Sequence, residues 1–255
     1  MSGSRKLFLF VALPLVLIAG GAIWFASRDN SSPKTATSSE NKNSTSCSAM
    51  VSPTDISKAT AVLYPGQTRG GHYKAHGGFR FDGAKNDDIS VKAPLDAKVT
   101  AGSRYIEQGE IQYLFDFETD CGLEYRFDHL KTLSAKFQAA AETLPTAEPD
   151  NSQTSNIKNF SVTAGELIAT GVGFENSPSG APVGPNVSFD FGVYDKTKRN
   201  AASTDPTWAK EREAEKDQAW YGVCWFDLLP AADAAIVKSL PGGDSTAGKT
   251  SDFCE

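Results

Sequence analysis

Three histidines are the side chains of this sequence that are best suited to metal binding or proton transfer. They are His72, His76 and His129, and the carboxylates of Asp82 and Asp128 lie close to them in the sequence. An imidazole nitrogen binds zinc and also exchanges a proton near neutral pH. In a β-rich protein, however, a lone histidine is usually hydrogen-bonded or on the surface. The histidines by themselves therefore predict no particular reaction.

Several other classes of function lack support in the sequence. Gly70-Gly71 and Gly77-Gly78 belong to no GxGxxG or GxxxxGK[ST] loop, so they indicate positive φ angles or close backbone approach. The chain has neither a Gly-x-Ser-x-Gly elbow nor a Cys/His nucleophile pair. The formal charge is −6, and the longest basic stretch is residues 196–199, so we expect no nucleic-acid partner.

The N-terminal region predicts a membrane anchor. Residues 7–26 carry no charge, and a helix of this length crosses the ~30 Å hydrocarbon core of a bilayer. Arg5 and Lys6 precede the apolar segment, so the positive-inside rule places residues 1–6 in the cytoplasm and the domain outside, as a single-pass membrane protein. The alternative is a signal sequence that is cleaved near residues 19–21 and leaves the domain secreted.

A polar linker and four cysteines follow the apolar segment. Residues 27–56 are rich in Ser, Thr, Asn and Lys and predict a disordered linker. All four cysteines lie on the exported side, where oxidising conditions favour disulfides, and three pairings are possible. We favour Cys224 with Cys254, because that bridge would hold a Gly/Ser/Thr-rich tail. This choice leaves Cys47 to pair with Cys121.

The rest of the chain predicts a mainly β domain over residues 57–200 and a C-terminal helical extension over residues 201–255. Short runs of β-branched and aromatic residues, separated by Gly, Pro and Asp, are typical of antiparallel strands. A polar stretch near residues 137–158 predicts a surface insertion. The predicted strands cover residues 89–93, 98–101, 111–117, 123–129, 162–170 and 187–194, and the predicted helices cover residues 135–144, 205–220 and 227–240.

The order of motifs over residues 64–194 resembles the LytM/lysostaphin-type domain of peptidoglycan endopeptidases. That family has a His-x-Gly-x-Asp motif, a Pro…Val…Gly hairpin, a Tyr…His-Leu strand, a Gly-x-x-Ile segment and a closing His-x-His motif. The resemblance implies an antiparallel β-sheet or sandwich of the lysostaphin-type peptidase kind, the duplicated hybrid motif. The corresponding stretches are HGGFR at 76–80, APLDAKV at 93–99, YRFDHL at 125–130, AGELIATG at 164–171 and GPNVSFD at 184–190.

The resemblance also implies that the zinc site of the family is degenerate in this chain. The three zinc ligands of the family correspond to His76, Arg80 and Ser188, and its two catalytic histidines correspond to His129 and Asn186. Zinc needs lone-pair donors, and a guanidinium is a permanent cation that has none to offer. A serine hydroxyl is a poor ligand for this ion. Only one family ligand, His76, is retained, so we expect no bound cofactor.

A catalytically inactive domain at the cell envelope is the function that this pattern implies. Such a domain would keep the groove of the family and bind peptidoglycan or its peptides, or dock a partner cell-wall hydrolase. The groove residues that we expect to contact the ligand are His76, Arg80, Asn186, Ser188 and Asp190.

The alternative is an active metal-dependent peptidoglycan endopeptidase with a rebuilt zinc site. In that enzyme a metal-bound water would attack the peptide carbonyl, and His129 would stabilise or transfer the proton. Asp190 has the same strand parity as Ser188, so its carboxylate would face the same side of the sheet. The candidate ligands of the rebuilt site are His72, His76, Asp82, Asp128, His129 and Asp190.

Overall fold

A large antiparallel sheet forms the body of the protein, which confirms the prediction of a mainly β domain. The computed structural model describes residues 47–173 and 186–255. In this part of the chain nine strands form the sheet, and β2 and β3 form a separate hairpin. The strands are β1 (Ala61–Leu63), β2 (Gln67–Arg69), β3 (His72–Lys74), β4 (Gly77–Asp82), β5 (Val91–Lys92), β6 (Ala97–Glu107), β7 (Glu110–Glu118), β8 (Leu123–Leu133), β9 (Ser155–Val162), β10 (Leu167–Val172) and β11 (Asn186–Asp195).

The strand order places β4, β11 and β8 side by side. Neighbours follow the order β1-β4-β11-β8-β7-β6-β9, and each of these pairs is antiparallel. β8 is long enough to change partners, because residues 123–128 pair with β11 whereas residues 130–133 pair with β10. β10 in turn pairs with β5. The sheet therefore branches in the middle of β8.

Aromatic rings cover one face of these central strands. Phe189 of β11 lies between Phe79 and Phe81 of β4, with ring centroids 5.5 and 6.0 Å apart. Phe127 of β8 stacks on Phe191 at 4.9 Å. Successive side chains of a strand point to opposite faces, so the residues between these rings share the other face of the sheet. That second face is polar and holds the candidate site.

Two predictions about the middle of the chain need correction. The stretch predicted as an insertion, residues 137–158, includes the beginning of β9. The single strand predicted over residues 162–170 is wrong, because Gly165 adopts a φ of 83° in a turn between β9 and β10. β9 is difficult to recognise because, among the described residues, β6 is its one partner strand, and it buries Ile157 among polar neighbours.

Short helices pack around the sheet. They are α1 (Ala135–Ala141), α2 (Pro206–Glu211), α3 (Lys216–Ala219) and α4 (Ala231–Ser239), joined by short 3₁₀ turns. The helix predicted over residues 205–220 is divided into α2, a 3₁₀ turn and α3. Residues 201–255 belong to the same compact unit as the sheet. The Trp225 ring is fully buried, and its centroid lies 5.0 Å from that of Phe79 and 5.1 Å from that of Phe191. The C-terminal extension therefore packs directly on the central strands.

The C-terminal tail runs beside the edge strand β1. Val62 N donates a hydrogen bond to the carbonyl of Pro241, and Gly243 N donates to the carbonyl of Val62. A disulfide between Cys224 and Cys254 fixes the end of the tail. This bridge is the one that the sequence favoured. The tail therefore covers backbone groups that an open sheet edge would expose.

The described chain begins with a second disulfide, between Cys47 and Cys121 in the turn that joins β7 to β8. The predicted linker, residues 27–56, overlaps this packed region, where Met50 is only 2% exposed and Val51 N donates to the carbonyl of Pro94. Packing against the sheet therefore orders the last part of that polar stretch. The predicted anchor lies outside the described residues, within which no helix has the length and apolar character needed to span a bilayer.

Candidate functional site

The polar face of β4 and β11 brings together residues that the sequence singled out. Arg80 lies directly opposite Ser188 in the paired strands. Asp190 lies opposite Gly78, where an added Cβ would come within 2.5 Å of the Phe189 carbonyl oxygen and within 3.0 Å of the Asp190 Oδ1 oxygen. A glycine at this position therefore leaves the room that the carboxylate needs above the strand.

Asp190 is the centre of a cluster of charged groups. Its Oδ2 oxygen lies 2.9 Å from His76 Nε2 and 3.9 Å from His129 Nε2. Burial raises the pKa of this carboxyl group, but the charge and hydrogen bond of His76, the charge of His129 and the charge of Arg69 outweigh burial. The pKa of Asp190 therefore lies well below its ordinary value. The ionised carboxylate therefore contacts His76 directly and lies close to His129 on the polar face.

His76 is held in place from two sides. Arg69 donates from Nη1 and Nη2 to the His76 carbonyl, each over 3.3 Å, and from Nη1 to the Tyr64 carbonyl over 2.9 Å. On the other side Gly192 provides space, because a Cβ added there would lie only 2.9 Å from the Cβ of His76. The β2–β3 hairpin, which carries Arg69, thus positions the backbone of His76 relative to β11.

His129 lies at the point where β8 changes partners, and its backbone is left-handed, with a φ of 60°. Asp128 still pairs with Asp190 of β11, whereas Leu130 pairs with Val172 of β10. The register of β8 against β7 also shifts here. Such a bulge redirects a side chain that would otherwise point to the opposite face. A positive φ is costly for a residue other than glycine, so surrounding contacts must stabilise it.

Tyr105 and Gln112 supply those contacts. The Tyr105 hydroxyl donates to the Asp128 carboxylate and lies 3.1 Å from His129 Nδ1, and Gln112 Oε1 lies 2.8 Å from the same nitrogen. Burial and then the charge of Asp128 raise the pKa of Tyr105, so the phenol keeps its proton. Because the phenol donates to Asp128, its oxygen can accept a hydrogen bond from Nδ1, and Gln112 Oε1 can do the same, so a proton on Nδ1 satisfies both contacts.

Arg80 forms an ion pair along its own strand. Its Nε donates to Asp82 Oδ1 over 2.7 Å, and Asp82 Oδ2 accepts from Thr60 Oγ1 over 3.0 Å. The side chains of Arg80 and Asp82 are 28% and 31% exposed, so the pair is partly accessible on the polar face of the sheet. Arg80 Nη1 also makes a long contact of 3.5 Å to the carbonyl of Gly243 in the tail. Asn186 lies opposite Asp82 and borders the pair.

The residues that the resemblance aligns with zinc ligands do not fit that ion. Zinc takes lone-pair donors at about 2.0–2.3 Å. The Arg80 guanidinium has no lone pair to give and is paired with Asp82. Ser188, on the opposite strand, offers only a weakly ligating hydroxyl. Over residues 47–173 and 186–255, no group of three or more His, Cys, Asp and Glu side chains is arranged to hold a metal ion.

Two other features of the sequence do not join the cluster. His72 is exposed on β3 of the hairpin. The stretch GDSTAGKT at 243–250 matches the GxxxxGK[ST] pattern, which requires a preceding strand and a following helix. Here α4 precedes it and no helix follows among residues 251–255. Asp244 Oδ1 accepts from the backbone N–H groups of Thr246 and Ala247, so these donors are not directed at a phosphate.

Arg69, Tyr105 and Gln112 are the site residues that sequence reasoning missed. Each acts by holding another residue of the site in position, and no motif marks such a role. Gln112 is fully buried within the strand EIQYLFDFE. A glutamine between aromatic and aliphatic residues of a buried strand is a signal of a polar contact in the interior, and it could have drawn attention to this position.

Comparisons with family models, curated proteins and solved structures found no match for this chain. The resemblance to LytM/lysostaphin-type domains therefore rests on the order of motifs in the sequence.

Proposed function

We propose that the chain is a catalytically inactive, LytM-like domain that binds cell-wall peptide outside the cytoplasmic membrane. Residues 7–26 would anchor it there, or would be cleaved to release it. Such a domain would retain the peptide-binding groove of the family and would lack its zinc chemistry. The residues that would contact the peptide are His76, Arg80, Asn186, Ser188 and Asp190.

One observation supports this proposal above all others. Arg80 and Ser188 face each other across β4 and β11 at two positions of family ligands, while His76 and His129 meet at Asp190 nearby. The residues of the resemblance are thus grouped on one polar face although two of the ligand types have been replaced. A groove with this composition can form hydrogen bonds and ion pairs but offers no zinc site of the family type.

A peptide suits this face better than a partner hydrolase does. The side chains of Arg80 and Asp190 are 28% and 15% exposed, so a ligand must reach between neighbouring side chains to contact them. A peptide segment can do so with its backbone and terminal groups. A protein partner would need a broader surface, of the order of 800 Å² on each side.

The test is co-sedimentation of the purified chain with insoluble peptidoglycan. We expect the wild-type chain to sediment with the polymer and the variant Ser188→Trp to stay in solution, because an indole opposite Arg80 would fill the groove. Lys158→Trp, which places the same side chain at an exposed position of β9, is the matched control and should sediment like the wild type. Circular dichroism shows that each variant is folded. A folded wild-type chain that stays in solution would contradict the proposal.

A metal-dependent endopeptidase is the second candidate, because one observation favours it. Two imidazoles and a carboxylate, all ligand types that zinc accepts, gather at Asp190. Donor atoms around a tetrahedral ion at about 2.1 Å lie about 3.4 Å apart, whereas the distances from Asp190 here are 2.9 and 3.9 Å. Among the described residues these side chains are not arranged to hold an ion, so metal binding would have to move them. His76 and His129 would hold the ion together with Asp190, and the ion would activate water.

Zinc content after gentle purification separates the two candidates. One zinc per chain in the wild type, lost in the variant His76→Ala, together with release of soluble peptide fragments from peptidoglycan, would replace the first proposal by the second. A chain that sediments with peptidoglycan and shows no stoichiometric zinc or cleavage agrees with the first proposal.

A further inference from the structure

Arg80 has hydrogen-bonding capacity that its protein partners do not use. A guanidinium carries five N–H donors in a planar fork. Asp82 accepts from Nε, and the carbonyl of Gly243 lies 3.5 Å from Nη1. Within the described part of the chain, these are the hydrogen bonds that the guanidinium makes. Most donors on its two terminal nitrogens are therefore left for another acceptor.

The side chains opposite Arg80 supply additional donors on the same face. Ser188 is its direct partner on β11, and Asn186 is the partner of Asp82. Both are half-buried, and neither side chain has a hydrogen bond to another residue of 47–173 or 186–255. A hydroxyl, a carboxamide and a guanidinium thus lie along one short stretch of two paired strands. This set of donors matches the acceptor oxygens of a carboxylate.

Two acidic residues on the same paired strands, Asp82 and Asp190, already have partners. Asp82 is held by Arg80 Nε and by Thr60 Oγ1, so its position is fixed to one side of the guanidinium. Asp190 accepts from His76, whose contact is 2.9 Å. The remaining edge of the Arg80 fork can therefore receive a second carboxylate without displacing the first.

We infer that Arg80, Ser188 and Asn186 form a subsite for the free carboxylate at the end of a peptide. The guanidinium contributes a fixed positive charge and two parallel N–H donors, and the hydroxyl and carboxamide orient the same oxygens. This inference rests on the proposed function, because it names the chemical group of the peptide that the groove selects. It requires no metal and no reaction.

The experiment compares two probes that differ in one group. Acetyl-Ala-Ala with a free carboxylate and the same dipeptide with a terminal carboxamide are titrated into ¹⁵N-labelled chain, and binding is followed by NMR. A charge-assisted hydrogen-bond pair is expected to give the acid at least about a tenfold preference over the amide. Arg80→Gln should abolish the preference, and Arg80→Lys should retain only part of it, because lysine lacks the planar fork.

Lys198→Gln is the matched control, because it removes one positive charge from a side chain that is 76% exposed. It should leave the preference unchanged. The preference in both wild type and Lys198→Gln, and its loss in a folded Arg80→Gln, would support the inference. Equal binding of acid and amide by the wild type, or a preference that survives Arg80→Gln, would overturn it.

Peptidoglycan co-sedimentation separates this inference from the proposed function. If the wild type sediments with peptidoglycan but binds acid and amide equally, the carboxylate subsite is wrong and peptide binding stands. If it prefers the acid through Arg80 but does not sediment, the subsite stands and its ligand is a carboxylate from another source. If it does neither, both are overturned.

Discussion

Replacement of Asp190 by asparagine tests whether the charge cluster stabilises the polar face. Asn keeps the shape of the side chain but removes the negative charge that His76 Nε2 contacts over 2.9 Å. Both partners are 15% exposed, so water can replace little of the interaction. Loss of a hydrogen bond to a charged group in such a place costs about 1.5–3 kcal/mol. We expect Asp190→Asn to lower the free energy of unfolding by about 2–3 kcal/mol at pH 6.

The matched control is Asp227→Asn. Asp227 makes a shorter contact to Lys238, of 2.6 Å, but its side chain is 59% exposed. An exposed pair of this kind contributes less than about 1 kcal/mol. Urea unfolding followed by tryptophan fluorescence measures both variants against the wild type. If Asp190→Asn lowers the free energy of unfolding no more than Asp227→Asn does, burial does not strengthen the Asp190 contacts. The Asp190 cluster would then not stabilise the polar face.

The dependence on pH gives a second check of the same prediction. The pKa of Asp190 is lower in the folded chain than the ordinary value of 3.8, because His76, His129 and Arg69 outweigh burial. A carboxyl group with a lowered folded pKa stabilises the fold at pH values above its unfolded pKa. That contribution is lost as the pH falls through the folded pKa. The difference between wild type and Asp190→Asn should therefore be full at pH 6 and should shrink below about pH 4.

Three further predictions concern the supports of the site. Tyr105→Phe removes the hydroxyl that contacts both Asp128 and the imidazole of the bulge, so we expect a loss of about 1–2 kcal/mol in stability; an unchanged urea midpoint would show that this hydroxyl does not support the bulge. Gly192→Ala should cost about 1–3 kcal/mol, because its Cβ crowds the Tyr194 hydroxyl and His76; a melting temperature equal to that of the wild type would contradict this. The double variant Cys224→Ser/Cys254→Ser opens a loop with a sequence separation of 30 residues and should lower stability by about 3–4 kcal/mol. Stability in urea equal to that of the wild type would show that the tail is held without the bridge.

The sequence was sufficient to predict those parts of the fold that follow from local pattern. Alternation along β11 predicts that Ser188 and Asp190 share a face, and the structure places both on the polar side of the sheet. The pairing of Cys224 with Cys254 follows from the need to hold an otherwise weakly structured tail. The first inference uses the alternation of side chains between the two faces of a strand, and the second uses the disulfide chemistry of cysteine. Both patterns are visible in the sequence.

Features that depend on contacts between distant strands could not be predicted. The positive φ of His129 arises because β8 passes from one partner strand to another, and nothing in the local sequence FDHLK marks that change. Gln112 and Tyr105 become site residues only when β6, β7 and β8 are paired. Met50 follows a polar stretch, and its burial depends on a surface that the sheet provides.

The bridge between Cys47 and Cys121 determines how mechanical load passes through the chain. A pull applied to the backbone at residue 47 reaches the turn between β7 and β8 through the covalent S–S bond. The segment from 48 to 120 is a closed loop that carries little of this tension, because the disulfide provides a shorter path around it. His76 and Arg80 both lie inside the loop. Tension that enters from the N-terminal side is therefore borne by the central hairpin of the sheet, and the strand that carries Arg80 is not peeled from its neighbours.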